Sequence, residues 1–261
     1  MRDLVGRTAL LTGASSGLGP IIARRLHREG VRFVLSARRE SELQKLAAEL
    51  GGSRVVVADL ARRGEAERLA AEAGAVDILI ANAGVPVSGR LTDLEVSHID
   101  RGLDVNLRAA IVLTRLLLPG MIECGSGHVV LMASLAGQIP GLRNSIYNAT
   151  KFGLRGFGHS LRLELRGTGV GASLISPSYV SQAGMWAESG QHSPFEVPPG
   201  RVAEAVVRAI QQDRAEVTVA PVMGLIGGRF ALIAPSVFLR VGGARAAEIP
   251  QEAVDQHRSK R

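Results

Sequence analysis

Cysteine is almost absent from these 261 residues, Cys124 standing alone. That excludes an internal disulfide and a cysteine-rich metal site, and makes a reducing, cytoplasmic setting the expectation. Aromatic residues are scarce as well, at 3%, too few for the stacking platforms of a nucleic-acid binder. Lysine is rarer still: Lys45, Lys151 and Lys260 are the only three among 31 basic residues. The net charge of +7 therefore rests on scattered arginines and not on a basic tract, so no nucleic-acid partner is expected. Any lysine at a chemically meaningful spacing stands out against that background. Met1-Arg2-Asp3-Leu4-Val5-Gly6 lacks the basic, apolar and small-residue succession of a signal peptide, so secretion is not expected. His27, His98, His128, His159, His192 and His257 lack ligand-like spacing, and no metal is expected.

Apolar residues make up 46% of the chain and charged residues 21%, enough to bury a large core. Strand-like runs at Thr8 to Thr12, Arg32 to Ser36, Arg54 to Ala58, Asp77 to Ala81, His128 to Ala133 and Gly171 to Ser176 alternate with longer helical segments. That rhythm predicts an α/β fold: a doubly wound, Rossmann-type parallel sheet of about seven strands with helices on both faces. No repeat or linker interrupts it, so residues 1–261 read as one domain. Pro20 suits the first turn of a helix, and Thr92 with Glu95 forms a capping-box pattern ahead of a long helix ending near Pro119. A second long helix is expected from about Ser145 to Arg166, stopped by Gly167 and Gly169. The irregular stretch from Pro177 to Pro199 reads as a substrate loop or lid.

Between the first strand and first helix lies Thr12-Gly13-Ala14-Ser15-Ser16-Gly17-Leu18-Gly19. Such glycines let the backbone turn tightly against a pyrophosphate, and the helix N-terminus offers N–H groups and a positive dipole end. The second strand ends at Ser36-Ala37-Arg38-Arg39, with no carboxylate where an NAD site holds the ribose hydroxyls. Arg38 is instead placed to accept the 2′-phosphate of NADP(H).

Tyr147 and Lys151 sit four residues apart, hence on one helix face and within mutual reach. A neighbouring cation favours a phenolate, so Lys151 is expected to lower the pKa of Tyr147 from its usual value near about 10. Ser134 follows the fifth strand, at the carboxyl edge where doubly wound sheets bind ligands, and its hydroxyl suits a substrate oxygen. As an isolated residue it reads equally well as a helix cap.

With a TGxxxGxG turn at Thr12 to Gly19 and a YxxxK pair at Tyr147 and Lys151, the chain resembles the short-chain dehydrogenase/reductase family over roughly residues 7–182. The resemblance implies cofactor contacts from Gly13, Ser15, Ser16, Gly17, Leu18, Gly19, Arg38, Asp59, Leu60, Asn82, Ala83, Gly84, Tyr147, Lys151, Pro177 and Val180. It also implies a Ser134, Tyr147, Lys151 and Asn106 tetrad, in which Asn106 holds a water near the lysine. A bare reading of Asn106 is a helix-interior asparagine facing solvent. Three departures from the family pattern touch the nicotinamide end: Ala81 replaces an asparagine, Pro177-Ser178 a proline-glycine, and Gln182 a threonine.

The implied function is NADP(H)-dependent interconversion of a small-molecule carbonyl and secondary alcohol, on a lipophilic substrate. A 3-oxoacyl-carrier-protein type reductase and a catalytically silent NADP-binding regulator are the alternatives. The family also implies a homodimer or homotetramer. Val217 to Leu239 is apolar except for Arg229; Val217 to Ala220 reads as a last strand. About residues 221–245 then form a lid or a subunit interface, with peripheral membrane contact as the remaining alternative.

Overall fold

The computed structural model describes Met1, residues 3–187 and residues 192–242. Its strands are β1 (Thr8–Thr12), β2 (Arg32–Ala37), β3 (Arg54–Val57), β4 (Ile78–Ala81), β5 (Gly127–Met132), β6 (Val170–Pro177), β7 (Tyr179–Val180), β8 (Glu196–Val197) and β9 (Glu216–Val219). Seven of them form one parallel sheet in the order β3-β2-β1-β4-β5-β6-β9, while β7 and β8 pair separately. Side chains alternate across the sheet as the pleat demands. Ala9, Leu11, Ile78 and Ile80 enter one core, and Leu10, Leu79 and Ala81 enter the other. The expected fold is the one found.

Helices cover both faces. One carries α1 (Leu18–His27), α2 (Glu40–Glu49) and α8 (Pro199–Gln211), whose Ile22, Leu26, Leu43, Val202 and Val206 fill the first core. The other carries α3 (Glu65–Ala73), α5 (Ala109–Glu123) and α6 (Ser145–Glu164), which bring Leu69, Leu113, Leu154 and Leu161 to the second. Ahead of α5 runs α4 (Val96–Leu103), joined to it by a single π turn, Asp104–Arg108. The strand order reverses between β1 and β4, which opens a crevice beyond their carboxyl ends.

Several sequence expectations need correction. Thr92 and Glu95 form no capping box: Leu91–Asp93 makes a 3₁₀ turn, the Thr92 hydroxyl bonds Asp93, and Glu95 precedes α4 without a side-chain cap. Pro119 does not end its helix, which runs on to Glu123. The carbonyl that proline leaves without a donor belongs to Arg115, on the exposed side of the helix, while Leu117 and Met121 keep the inner stripe buried. Asp77 lies outside β4, because its carboxylate accepts hydrogen bonds from Arg7 and from the Thr8 N–H, each at 2.8 Å. The loop from 177 to 199 is more ordered than its composition suggests: it contains β7, β8 and α7 (Gly184–Ala187), and residues 188–191 lie outside the described ones. The tail forms a helix pair, α9 (Val222–Ile233) and α10 (Pro235–Gly242), and the rest of the expected segment, residues 243–245, lies outside the described residues.

Two turns meet at the amino edge of the sheet, those entering β5 and β6. Gly169 has φ +79°, and a Cβ there would lie 2.0 Å from the Gly125 carbonyl oxygen. Gly169→Ala therefore meets both backbone strain and a clash with backbone. We expect a loss of at least about 1 kcal/mol, read as a lower urea midpoint with an unchanged slope.

Candidate active site

The crevice is built from the ends of β1 and β4 upward. Thr12 Oγ1 accepts the backbone N–H groups of Asn82 and Ala83, both at 3.0 Å. The Asn82 amide donates to the carbonyls of Thr12 (3.0 Å) and Gly13 (3.2 Å). A Cβ on Gly13 would lie 2.9 Å from Ala83 Cα, and one on Gly19 would lie 2.2 Å from the Gly13 carbonyl oxygen. Gly13 and Gly17 have φ +66° and +60°, so the turn needs glycine for conformation as well as space. Gly17 heads α1 with no side-chain cap; in the first turn the Gly19 N–H donates to the Ser16 carbonyl at 3.1 Å and Pro20 has no N–H, so what the turn offers an anion is the positive end of the helix dipole. The loop from β7 comes down on this turn. A Cβ on Gly17 would be 3.1 Å from Gly184 Cα, and a cleft of about 450 Å³ lies between Gly17, Ile21, Gln182 and Ala187.

At the end of β2, Arg38 is exposed, with its guanidinium available to a phosphate. Arg39, which sequence reasoning passed over, folds back onto the turn: Nη2 donates to the Ser15 carbonyl at 2.9 Å, and Nε lies 3.4 Å from Ser15 Oγ. Asp59 begins the turn after β3, accepting from the Ala61 N–H at 3.2 Å. Leu60 and Val180 are buried in the core, so either would meet a cofactor only through its backbone. Ser16 is exposed on the turn and Leu18 opens α1.

Ser134 stands two residues past β5. It caps the short 3₁₀ turn Leu135–Gly137, Oγ accepting from the Ala136 N–H at 3.1 Å. The same hydroxyl hydrogen-bonds Tyr147 and lies 3.4 Å from the Pro177 carbonyl. The cap reading of this serine is the one these contacts show. α6 brings Lys151 under Tyr147, with Nζ 5.6 Å from the ring centroid, and Nζ donates to the Met132 carbonyl at 2.8 Å. The expected lowering of the phenol is not found. Burial pushes Tyr147 up to about 12, with the Ser134 hydrogen bond alone opposing it, because the ammonium is spent on a carbonyl and not on the phenol oxygen. Burial also lowers Lys151, to about 8.

Asn106 does not face solvent. It is buried in the π turn, where its Oδ1 accepts the Val85 N–H at 2.7 Å and its Nδ2 donates to the Val85 carbonyl at 2.9 Å. A Cβ on Gly84 would stand 3.4 Å from Asn106 Oδ1 and 4.0 Å from Lys151 Nζ, so all three converge on one small space. Of the departures noted in the sequence, Gln182 is exposed in a left-handed conformation (φ +59°). Ser178 bonds the Phe195 and Val219 backbone.

One residue with no sequence signal ties these parts together. Glu216, on the edge strand β9, accepts from Gln138 Nε2 (2.7 Å), Arg155 Nε (3.1 Å) and Ser176 Oγ (3.1 Å), and pairs with His159 Nε2 at 3.1 Å. Gln138 belongs to the segment after Ser134, and Arg155 and His159 to the helix of Tyr147 and Lys151. Arg155, Gln138 and Ser176 outweigh burial and hold the carboxyl below its ordinary range. Only the folded chain shows such a junction, because the partners lie 40 to 78 residues from Glu216 in sequence.

The chain belongs to the short-chain dehydrogenase family: a family model described as short chain dehydrogenase matches residues 7–194. Ketoacyl reductase HetN of Nostoc sp. is 40% identical over 230 residues, which cover 84% of this chain and 80% of HetN. Two solved structures are similar. The closed form of a serine dehydrogenase complexed with NADP+ is 29% identical, with TM-score 0.75, covering 83% of this chain and 95% of the other. An actinorhodin polyketide ketoreductase with NADPH is 31% identical, with TM-score 0.74 and coverages of 82% and 94%.

The Asn106 clasp yields a prediction. Asn106→Ala strips the partners from the half-buried N–H and carbonyl of Val85, a cost of about 1 kcal/mol for each lost hydrogen bond. Thermal unfolding should fall by several degrees, and a melting point equal to that of the wild type would show that Val85 finds other partners.

Proposed function

We propose that this chain reduces the carbonyl of an apolar ketone to a secondary alcohol at the expense of NADPH, and catalyses the reverse oxidation. The observation that carries the reading is the meeting of Ser134, Tyr147, Lys151 and Asn106 beside the crevice where β1 and β4 part. The glycine turn fits a pyrophosphate by the contacts a Cβ would make at Gly13 and Gly19. Gly13, Ser15, Ser16, Gly17, Leu18 and Gly19 would hold that pyrophosphate, and Arg38 a 2′-phosphate. Asp59 and the Leu60 backbone would border the adenine, with Asn82, Ala83, Gly84, Pro177 and Val180 along the nicotinamide half. When bound, the nicotinamide supplies or accepts the hydride.

The residues' own chemistry follows from their surroundings. With its pKa at about 12, Tyr147 is a neutral phenol at pH 7 and is poised to give a proton to the substrate oxygen. Ser134 is hydrogen-bonded to that phenol and orients the same oxygen. Lys151, at about 8, remains about nine-tenths protonated at neutral pH, so a cation lies beneath the ring as the phenolate forms. The space bordered by Gly84, Asn106 and Lys151 suits a water that returns the proton to Tyr147. Leu135 and Ile139, from the segment after Ser134, and Phe195 form an apolar wall against the helix α9.

A second reading, reduction of a 3-oxoacyl thioester, is favoured by the ketoacyl and polyketide names of two similar proteins. Assembly as a homodimer or homotetramer and a cytoplasmic location belong to the same reading. A silent NADP-binding regulator would not need the Ser134–Tyr147 hydrogen bond.

NADPH consumption across a panel of apolar ketones and 3-oxoacyl thioesters tests the reading, and no turnover with any of them would favour the regulator. Tyr147→Phe should still bind NADPH but lose at least about 100-fold in turnover; near-normal rates would remove the tyrosine from the chemistry. Arg38→Asp should erase or reverse a preference for NADPH over NADH, a change of about 10- to 150-fold from the loss of charge-assisted hydrogen bonds. Equal affinity of the wild-type protein for both cofactors would make Arg38 an ordinary surface residue.

A further inference from the structure

The helix α9 is built inside out. It buries Gly224, Gly228 and Ala231, and packs them closely: a Cβ on Gly224 would meet Leu135 and Phe195 at 3.6 Å, and one on Gly228 would lie 2.7 Å from Gln138 Oε1. Outward it turns Val222, Ile226, Phe230 and Ile233, the last 83% exposed, and α10 adds exposed Val237 and Leu239. Small residues inside and large apolar ones outside reverse the pattern of a helix that faces water. A continuous apolar stripe of this kind needs an apolar environment.

Charge indicates which one. From Val217 to Ala247 the sequence has no aspartate or glutamate, and its charged residues are Arg229, Arg240 and Arg245. Arg229 also borders a groove of about 360 Å³ with Arg208 and Arg214, all three exposed. The acidic member of that groove, Glu216, is already engaged by Arg155 and His159. A second copy of the chain, docked through this same segment about a two-fold axis, would set Arg229 and Arg240 against a face that carries arginines and no carboxylate to offset them. Residues 243–261 carry only Ile249 and Val254 as large apolar side chains, too few to cover the stripe. The helices have 12 and 8 residues, or about 18 and 12 Å of length, short of the roughly 30 Å of a bilayer core. They are suited to lie in a membrane surface and not to cross it.

We propose that α9 and α10 dock this chain on an anionic lipid surface. The outward apolar side chains enter the headgroup boundary, and Arg208, Arg214 and Arg229 receive lipid phosphates. Because the inner side of α9 touches Leu135 and Phe195, docking sets the mouth of the site against the layer in which an apolar ketone dissolves. That consequence rests on the Ser134 and Tyr147 reading; the docking itself does not.

Co-sedimentation of the full chain with vesicles of phosphatidylcholine, with and without phosphatidylglycerol, tests the proposal. Binding should require phosphatidylglycerol and weaken with salt. Each of Arg208→Gln, Arg214→Gln and Arg229→Gln should lower partitioning about 5-fold, and Ile226→Asp combined with Ile233→Asp should abolish it. Thermal melts verify folding, and should the double aspartate variant not fold, the arginine series decides. The proposal is overturned if the wild-type protein fails to pellet with phosphatidylglycerol vesicles, or if inorganic phosphate binds the groove while vesicles do not. It is equally overturned if light scattering shows the double variant falling to a smaller assembly, since a second copy would then own the face. None of these readouts uses turnover, so loss of the proposed activity and loss of docking are separately visible.

Discussion

A single threonine hydroxyl holds the two halves of the sheet in register at the point where function is placed. Thr12 Oγ1 takes the N–H groups of Asn82 and Ala83, and the Asn82 amide returns bonds to the Thr12 and Gly13 carbonyls. Parallel strands bond along their length but part beyond their ends, where the chain leaves for opposite faces. Without this clasp the glycine turn and the segment Asn82-Ala83-Gly84 would be two independent loops. With it, the glycine turn and the space beside Lys151 share one rigid frame.

A similar economy operates on the far side of the site. Ser134 and Tyr147 come from different elements, and their hydrogen bond demands a fixed spacing between the end of β5 and the helix α6. Glu216 supplies that spacing by joining Gln138 on one side to Arg155 and His159 on the other. The donors around this half-buried carboxylate more than offset its desolvation, so the junction both stabilises the charge and fixes the orientation of the groups it joins.

How much of this was legible in the sequence varied with the range of the forces involved. The main strands were readable, because apolar runs of the right length admit few other uses. Glycine positions at the turn were readable for a similar reason, since only glycine tolerates those dihedrals. The chain ends of helices were read less well: the hydrophobic stripe at Leu117 and Met121 overrode Pro119, and a local bond to Asp93 drew Thr92 away from capping. Arg39 and Glu216 were missed altogether, because their partners at Ser15, Gln138 and His159 are brought near only by tertiary folding. The burial that raises Tyr147 and turns Lys151 to Met132 is likewise invisible in a spacing of four residues.

The π turn at Asp104–Arg108 inserts one residue into what is otherwise a continuous helix from Val96 to Glu123. One extra residue advances the helix by about 100°, so α4 and α5 run out of phase on either side of it. That offset allows α5 to keep Ala109 and Leu113 on the sheet while Asn106 swings to clasp Val85. Shortening the turn by one residue would make a more regular helix and a worse protein, since either the core stripe or the asparagine would have to leave its place. The irregularity is where the phase of the scaffold is reset to suit the chemistry.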